Sequence, residues 1–522
     1  MKQGLVHVWI RSVVLAIACL LGPARSVTAA TEGQPEQVHR PPRLFPEYSD
    51  VVIPPNIAPL NFVIQEPGVR YRVRIASVQG RPIEIAGKSA TVVIPGRPWR
   101  ELLLANAGQP VLLEVSAQSR EGRWQQFETV TNTISPDSID GYLVYRLLRP
   151  AYNVYKTIGI YQRELGTYDE RPLLENRSFE EGCLNCHTFL QHRPERMALH
   201  IRHKASGNPM LLVCSNEVTQ VAKTAGYLSW HPSGRLLAFS ANRFALLYHT
   251  AGEETRELID SNSDLGIYRV DSNLVVTPPS VARPDRLENW PSWSPDGRYL
   301  YFCSAPKLKM ERFKQVRYDL MRVSYDLGQD QWGEPETVVS AQETRLSAAQ
   351  PRLSPDGRFL LFCLIPYGNF PAYFPSSDLY LMDLNTRQFR RLEINSDECE
   401  SWHCWSSNSR WVVFSSKRRD GLFARPHFSH VDQQGRLSKP LLLPQKDPAF
   451  YDTCVKTFNL PELIQSPVSV TARDLAEGVL KPRRVLKPGS EAAAAAPSRP
   501  TEHDAVEGQS IRENAGGGAP PE

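Results

Sequence analysis

The sequence lacks several features that would assign it to common functional classes. It has no large excess of charge, since 60 basic and 56 acidic residues leave a formal net charge of +4, and no basic block is interleaved with aromatic residues. A nucleic-acid partner is therefore not expected. There is also no Gly-x-Ser-x-Gly elbow and no room for an α/β catalytic domain, so a hydrolase is not expected.

The amino terminus lacks an apolar run long enough to span a bilayer, but it has the pattern of a secretory signal. Basic residues precede the apolar stretch 13–21, and small residues predict cleavage after Ala29, which makes residues 1–29 a signal peptide. The mature chain is thus expected in the periplasm without a transmembrane helix. The segment 16–19 weakly resembles a lipobox, so a lipid anchor at Cys19 is the alternative.

A second ligand pair that would complete a zinc site is missing near the run Cys183-Leu184-Asn185-Cys186-His187. A thioredoxin-like redox pair would need a βαβ pattern around it, which is absent as well. Cys-x-x-Cys-His is the attachment signal of haem c: two thiols add to the porphyrin vinyl groups and the histidine binds the iron. Because haem c is attached outside the cytoplasm, the export signal supports this interpretation. We expect one covalent haem, with His187 as the proximal ligand.

The distal iron ligand is less specified by the sequence. Met197 is the first candidate, ten residues after His187, and a thioether ligand would raise the reduction potential. The other candidates are four histidines, His192, His200, His203 and His231. The sequence also allows an open distal position on the iron. On a regular strand, Met197 and His200 would point to opposite faces unless a bulge intervenes.

The remaining cysteines carry no second haem motif. Cys214, Cys303 and Cys363 lie in apolar, strand-like runs and are expected to be buried as small hydrophobic residues. Cys399 and Cys404 are separated by four residues and could form a local disulfide in an oxidising compartment.

The middle of the chain contains a repeat of strand, tight turn and strand. Pro favours the first turn position, Asp or Asn caps the turn, and Gly supplies a positive φ. The four copies begin at Ser229-Trp230-His231-Pro232, Ser292-Trp293-Ser294-Pro295, Arg352-Leu353-Ser354-Pro355 and Cys404-Trp405-Ser406-Ser407. A second predicted hairpin follows these pairs, as in the segments 318–323 and 336–339, which gives four strands per unit and predicts propeller blades. Asp296 and Asp356 recur at the same turn, so we interpret them as turn residues and not as catalytic carboxylates.

The repeat Ser-Trp-Ser-Pro-Asp-Gly-Arg followed by Tyr-Leu-x-Phe closely resembles that of TolB-like (PD40-type) propellers. The resemblance implies six blades, with two degenerate units before the four clear ones, the second of them beginning at the haem motif. The arrangement resembles exported bacterial proteins with such a propeller and a single c-type haem motif, a family largely without assigned activity.

The expected fold is all-β. An immunoglobulin- or fibronectin-like sandwich over 45–134 precedes the propeller over 135–465, which carries the haem motif at 183–187. Proline, alanine, glycine and charged residues dominate 466–522, so this segment is predicted to be a disordered tail.

Three functions fit this organisation. The first is a periplasmic monohaem electron carrier with a redox or envelope protein as partner. The second is a TolB-like interaction scaffold of the cell envelope, in which haem is structural or absent. The third, a haem enzyme, would need an open iron position and a substrate pocket, which the sequence does not show; an electron carrier is therefore favoured over a catalyst.

Overall fold

The computed structural model describes residues 34–150, 156–179, 182–249 and 256–481. The predicted signal peptide and Cys19 lie outside the described residues. Within them, no helix is long and apolar enough to cross a membrane.

Two β-sheets and one helix make up the first part of the chain. Its elements are β1 (Glu36–Val38), β2 (Leu44–Phe45), β3 (Val52–Ile53), β4 (Phe62–Ile64), β5 (Arg70–Ser77), β6 (Ile83–Gly87), β7 (Thr91–Val92), α1 (Gly96–Ala105), β8 (Pro110–Gln118), β9 (Trp124–Phe127) and β10 (Val130–Ile134). The larger sheet has the order β1-β9-β8-β10-β3, with β5 on the other side of β8 and β6 beside β5. The smaller sheet is β2-β4-β7. Apolar and polar residues alternate along β5 and β8, so one face of each strand is buried.

Helix α1 was not expected in the predicted sandwich. Trp99, Leu102 and Leu103 are its buried residues, spaced three and four apart as on one helical face. The indole of Trp99 donates a hydrogen bond to the Ile57 carbonyl at 3.1 Å, which fixes the helix against the segment between the sheets. Pro98 lies in the first turn of α1, where a missing N–H costs nothing. The fold is therefore mostly β, with this helix packed against the sheets.

The second part of the chain is built from strands in six sheets. Its first elements are β11 (Tyr142–Leu148), β12 (Gly159–Glu164), β13 (Glu170–Glu175), β14 (Cys183–Leu190), β15 (Arg193–Arg202), β16 (Met210–Cys214), β17 (Glu217–Val221), β18 (Gly226–Trp230), β19 (Leu236–Tyr248), β20 (Arg256–Arg269) and β21 (Leu274–Val276). They continue with β22 (Arg286–Trp293), β23 (Tyr299–Pro306), β24 (Asp319–Asp326), β25 (Gln331–Trp332), β26 (Glu336–Val339), α2 (Ala341–Thr344), β27 (Ser347–Leu353), β28 (Phe359–Ile365), β29 (Asp378–Asp383) and β30 (Gln388–Arg391). The last are β31 (Glu400–Trp405), β32 (Trp411–Ser416), β33 (Arg425–His430), β34 (Leu441–Leu442), α3 (Phe450–Thr453), β35 (Thr457–Ile464) and α4 (Ala472–Leu480).

These sheets follow one another around a ring. Their orders are β13-β12-β11-β35, β14-β15-β16-β17, β18-β19-β20-β21, β22-β23-β24-β25 with β26 beside β24, β27-β28-β29-β30, and β31-β32-β33-β34. The strands β35, β14, β18, β22, β27 and β31 each contact the next, and β31 contacts β35 again. The carboxyl-terminal strand β35 pairs with β11 and so joins the end of the ring to its beginning.

The repeated turns are held by the residues that the sequence singled out. The Ser294 hydroxyl donates to Asp296 Oδ1 at 2.6 Å, and the same carboxylate oxygen accepts the Arg298 N–H at 3.0 Å. The Tyr299 N–H in turn donates to Ser294 Oγ at 2.9 Å. The same three bonds recur at Ser354, Asp356, Arg358 and Phe359 and at Ser406, Asn408, Arg410 and Trp411. The interpretation of the aspartates as turn residues is confirmed.

The first part of the chain packs on the last sheet through one continuous apolar core. Trp411 in β32 is fully buried in it, and its indole N–H donates to the Asp137 carbonyl at 2.9 Å. The Asp137 carboxylate lies 2.8 Å from His430 Nε2, and the Asp140 carboxylate accepts the Ser407 N–H at 2.8 Å. The segment between the two parts is therefore attached to the last sheet and is not a free linker.

The predicted disordered tail begins too early. Residues 466–481 are ordered, and Leu475 and Val479 of α4 are fully buried in the core between the first two sheets of the ring. The Gln220 side chain donates to the Val479 carbonyl at 2.5 Å, and Thr471 and Asp474 form a capping box. The composition of the tail concealed this short amphipathic helix, whereas 482–522 lie outside the described residues.

All described cysteines are free thiols, so Cys399 and Cys404 form no disulfide. Most of the segment between them belongs to β31, in which the chain is extended apart from an irregularity at Trp402. A disulfide requires Cα atoms less than about 7 Å apart. The Cys399 thiol instead donates to the Pro371 carbonyl at 3.4 Å. Cys303 and Cys363 are fully buried as expected, while Cys214 is half-buried.

Candidate cofactor site

The Cys-x-x-Cys-His run lies on β14, a strand at the centre of the ring. The ladder between β14 and β15 shifts register between Leu184 and His187, so that Asn185 and Cys186 have no ladder partner. Such a bulge changes the direction of the side chains that it contains. Comparable shifts occur in the central strand of each of the other five sheets.

Both cysteines of the run line one cavity of about 130 Å³. The lining comes from the central strands β14, β18, β31 and β35, from neighbouring strands, and from the connecting segments between strands. Cys183, Asn185 and Cys186 contribute from β14, and His200 and Arg202 contribute from β15. The bulge explains how two residues three apart on a strand, which would otherwise face opposite sides, reach the same cavity.

The two thiols are protonated in this environment. Burial raises the pKa of Cys183 and of Cys186, and the nearby charges of Arg146 and Arg202 offset only part of this effect. A redox-active Cys-x-x-Cys pair needs a lowered thiol pKa in the protein itself. The environment therefore does not favour the redox-pair alternative to haem attachment.

His187 lies away from the cavity. It is opposite Leu199 in the ladder and its ring contacts Phe189 at 6.1 Å between centroids, on the face of the sheet that packs against the first sheet of the ring. Burial lowers the pKa of His187 to about 3, with a further contribution from Arg146. Neither ring nitrogen makes a hydrogen bond of ordinary geometry among the described residues, although the backbone of Leu460 and of Val144 interacts weakly with the ring and offsets part of the effect of burial. A buried imidazole without such a hydrogen bond is unusual in a folded protein.

His200 faces the cavity, together with the two thiols. Its Nδ1 is 3.1 Å from the Asn185 side-chain amide nitrogen, whereas its Nε2 is buried and makes no hydrogen bond of ordinary geometry among the described residues. Burial lowers the pKa of His200 to about 3, Arg202 adds to this effect and the Asn208 backbone offsets part of it, so the imidazole is neutral at physiological pH.

Met197 does not reach the cavity. It is fully buried, opposite Phe189, in the core on the same face of the sheet as Leu199. The other candidate histidines are also engaged elsewhere. His192 contacts the Leu463 carbonyl, His203 contacts the Ser206 hydroxyl, and His231 contacts the Gly297 carbonyl.

The cavity is strongly cationic. No aspartate or glutamate lines it among the described residues. Five basic side chains do so, namely Arg146, Arg149, Arg202, Arg256 and Lys417. Burial lowers the pKa of Lys417, as does the charge of Arg256. Like charges that share a cavity without a carboxylate favour an anionic ligand. Aromatic rings complete the lining, among them Tyr227, Tyr373 and Trp402.

No family model matches the chain, and no curated protein matches it. Solved structures with a similar fold include hydrazine synthase from Kuenenia stuttgartiensis, at 10% identity over 63% of this chain and 48% of that chain, with a TM-score of 0.43. A prolyl endopeptidase is 11% identical over 59% of this chain and 49% of that chain, with a TM-score of 0.33. The propeller of Dos1 is 13% identical over 51% of this chain and 63% of that chain, with a TM-score of 0.32.

The chain thus spans about half the length of the first two of these structures. The class of the fold follows from the sheets themselves. Repeated four-stranded sheets whose central strands close into a ring define a mostly β protein of the β-propeller class.

Proposed function

We propose that this chain is an exported haem protein that carries one haem c at Cys183 and Cys186 and transfers single electrons to a protein partner in the periplasm. The scaffold in this proposal is a six-bladed TolB-like propeller that follows an immunoglobulin-like domain. The observation that carries the proposal is that both thiols of the motif line one cavity together with the buried His200 imidazole and five basic side chains.

The residues around the cavity fit a haem group in their chemistry. Thiols attach the porphyrin, guanidinium and ammonium groups pair with its propionates, and aromatic rings pack against a flat conjugated ring. Arg146 is oriented by its hydrogen bond to the Leu184 carbonyl at 3.1 Å, and Arg256 lies 4.2 Å from the centroid of the Tyr373 ring. When bound, haem supplies a one-electron couple, while the chain holds it and excludes water.

The direction of His187 is the part of the site that does not fit. Its ring and the cavity are on different faces of the sheet, so ligation by His187 requires the bulge at Asn185 and Cys186 to rearrange. This observation favours a second candidate function, a TolB-like interaction scaffold in which haem is absent or structural. In that function the cationic cavity binds a different anion.

The deciding measurement is the haem content per chain, by pyridine haemochrome assay and haem staining after denaturing electrophoresis. The full chain is produced with the c-type maturation machinery and compared with a Cys183→Ala, Cys186→Ala double variant. We expect one covalent haem in the wild type and none in the double variant. Cys404→Ala, which removes a half-buried thiol elsewhere, serves as the control and retains its haem.

A wild-type chain without haem, despite competent maturation, would reject the electron carrier and support the scaffold. A chain with one haem is next tested for a reversible one-electron couple by protein-film voltammetry. A covalent haem that cannot be reduced and reoxidised would assign it a structural role.

A further inference from the structure

We propose that His200 supplies an axial nitrogen to the haem iron, in place of the distal ligand Met197 that the sequence favours. This inference rests on the proposed function. His200 is 1% exposed and lines the same cavity as the two thiols. Its Nε2 makes no hydrogen bond of ordinary geometry among the described residues, although the Asn208 backbone interacts weakly with the ring. A neutral imidazole with one free ring nitrogen, held by its other nitrogen, is the usual form of a histidine ligand.

The alternatives are on the wrong face of the sheet. Side chains directly opposite each other in an antiparallel ladder lie on the same face of the sheet. Met197 is therefore on the same face as Phe189, and His187 is on the same face as Leu199. Met197, Phe189 and Leu199 pack in the core between the first two sheets of the ring. His200 follows Leu199 in β15 and points to the other face, where the cavity lies.

Asn185 positions the imidazole of His200. Its amide nitrogen is 3.1 Å from Nδ1, so Nδ1 accepts in this arrangement and the proton is on Nε2. Ligation through Nε2 requires the other tautomer, with the proton on Nδ1. Rotation of the Asn185 amide by 180° presents its oxygen to that proton, and the two amide orientations have nearly the same shape. Asn185 can therefore hold the ring both before and after haem binding.

The test is the optical and electron paramagnetic resonance spectrum of the haem-loaded full chain. We expect His200→Gly to change both spectra, and exogenous imidazole to restore the wild-type spectra by occupying the space that the side chain leaves. Met197→Leu is expected to leave them unchanged. His203→Ala, at a buried histidine that contacts Ser206 and does not line the cavity, is the matched control and is expected to have wild-type spectra.

His200→Gln keeps a polar side chain of similar size and shows whether the sheet tolerates a change there. Circular dichroism establishes folding, and haem content is measured for each variant. Folded, haem-loaded His200 variants with wild-type spectra would overturn the inference, as would a Met197→Leu variant that alone changes the spectrum. Absence of haem from the wild type would instead reject the proposed function.

Discussion

Replacing Trp411 by alanine is expected to lower the free energy of unfolding by about 4 kcal/mol, the usual cost of removing a fully buried large aromatic side chain. Trp411 is 0% exposed and belongs to the core that the first part of the chain shares with the last sheet of the ring. Its loss creates a cavity in that core and leaves the Asp137 carbonyl without its donor. Urea unfolding followed by fluorescence and circular dichroism measures the change.

Two further variants separate packing from hydrogen bonding. Trp411→Phe keeps most of the volume and loses the bond to Asp137, so about 1–2 kcal/mol of destabilisation is expected. Trp332→Ala removes a half-buried tryptophan on the edge strand β25 and should cost clearly less than Trp411→Ala. Equal effects at Trp411 and Trp332 would contradict the shared core.

The repeats could be predicted because each turn is encoded locally. Ser294, Asp296 and Gly297 form their turn through bonds to residues within five positions, so the pattern is visible in a short window of sequence. Helix α4 was missed for a different reason. Its burial depends on a groove formed by distant strands, which the composition of the tail does not reveal.

The cavity could be predicted only in part. The two thiols are marked by a local motif. Arg146 and Lys417, in contrast, come from the first and the last sheet in chain order, which the pairing of β35 with β11 brings together. The motif also implies that Cys186 and His187 serve the same ligand. On a helix, consecutive residues are about 100° apart, whereas on a strand they face opposite sides. The strand conformation of β14 is therefore what separates His187 from the thiols.

The second large effect is expected at Glu288, whose substitution by glutamine should stabilise the chain at alkaline pH. Glu288 is 0% exposed, and burial raises its pKa to about 8, with a contribution from Asp264. Its Oε1 accepts a 3.4 Å hydrogen bond from Ser304, and Oε2 makes no hydrogen bond of ordinary geometry among the described residues. The Arg283 backbone and the charge of Arg286 offset only part of the effect of burial. The ionised carboxylate is thus poorly compensated in the folded state.

The direction of the pH dependence follows from the two pKa values. The carboxyl ionises near 4.5 in the unfolded chain and near 8 in the folded chain, so between these values only the folded chain keeps the proton. This contribution to stability is complete below pH 4.5 and is lost as the pH rises through 8. Since a tenfold change in proton affinity is worth about 1.4 kcal/mol, a shift from 4.5 to about 8 corresponds to a loss of the order of 5 kcal/mol.

Glutamine at position 288 is uncharged at every pH, so the difference in Tm between Glu288→Gln and the wild type should grow in favour of the variant from pH 5 to pH 9. Differential scanning calorimetry across this range measures it. Glu334→Gln removes an exposed carboxylate beside the same sheet, and its Tm should vary with pH as that of the wild type does. A difference in Tm between Glu288→Gln and the wild type that stayed constant with pH would contradict this prediction. It would mean that the Glu288 carboxyl has the same pKa in the folded and the unfolded chain.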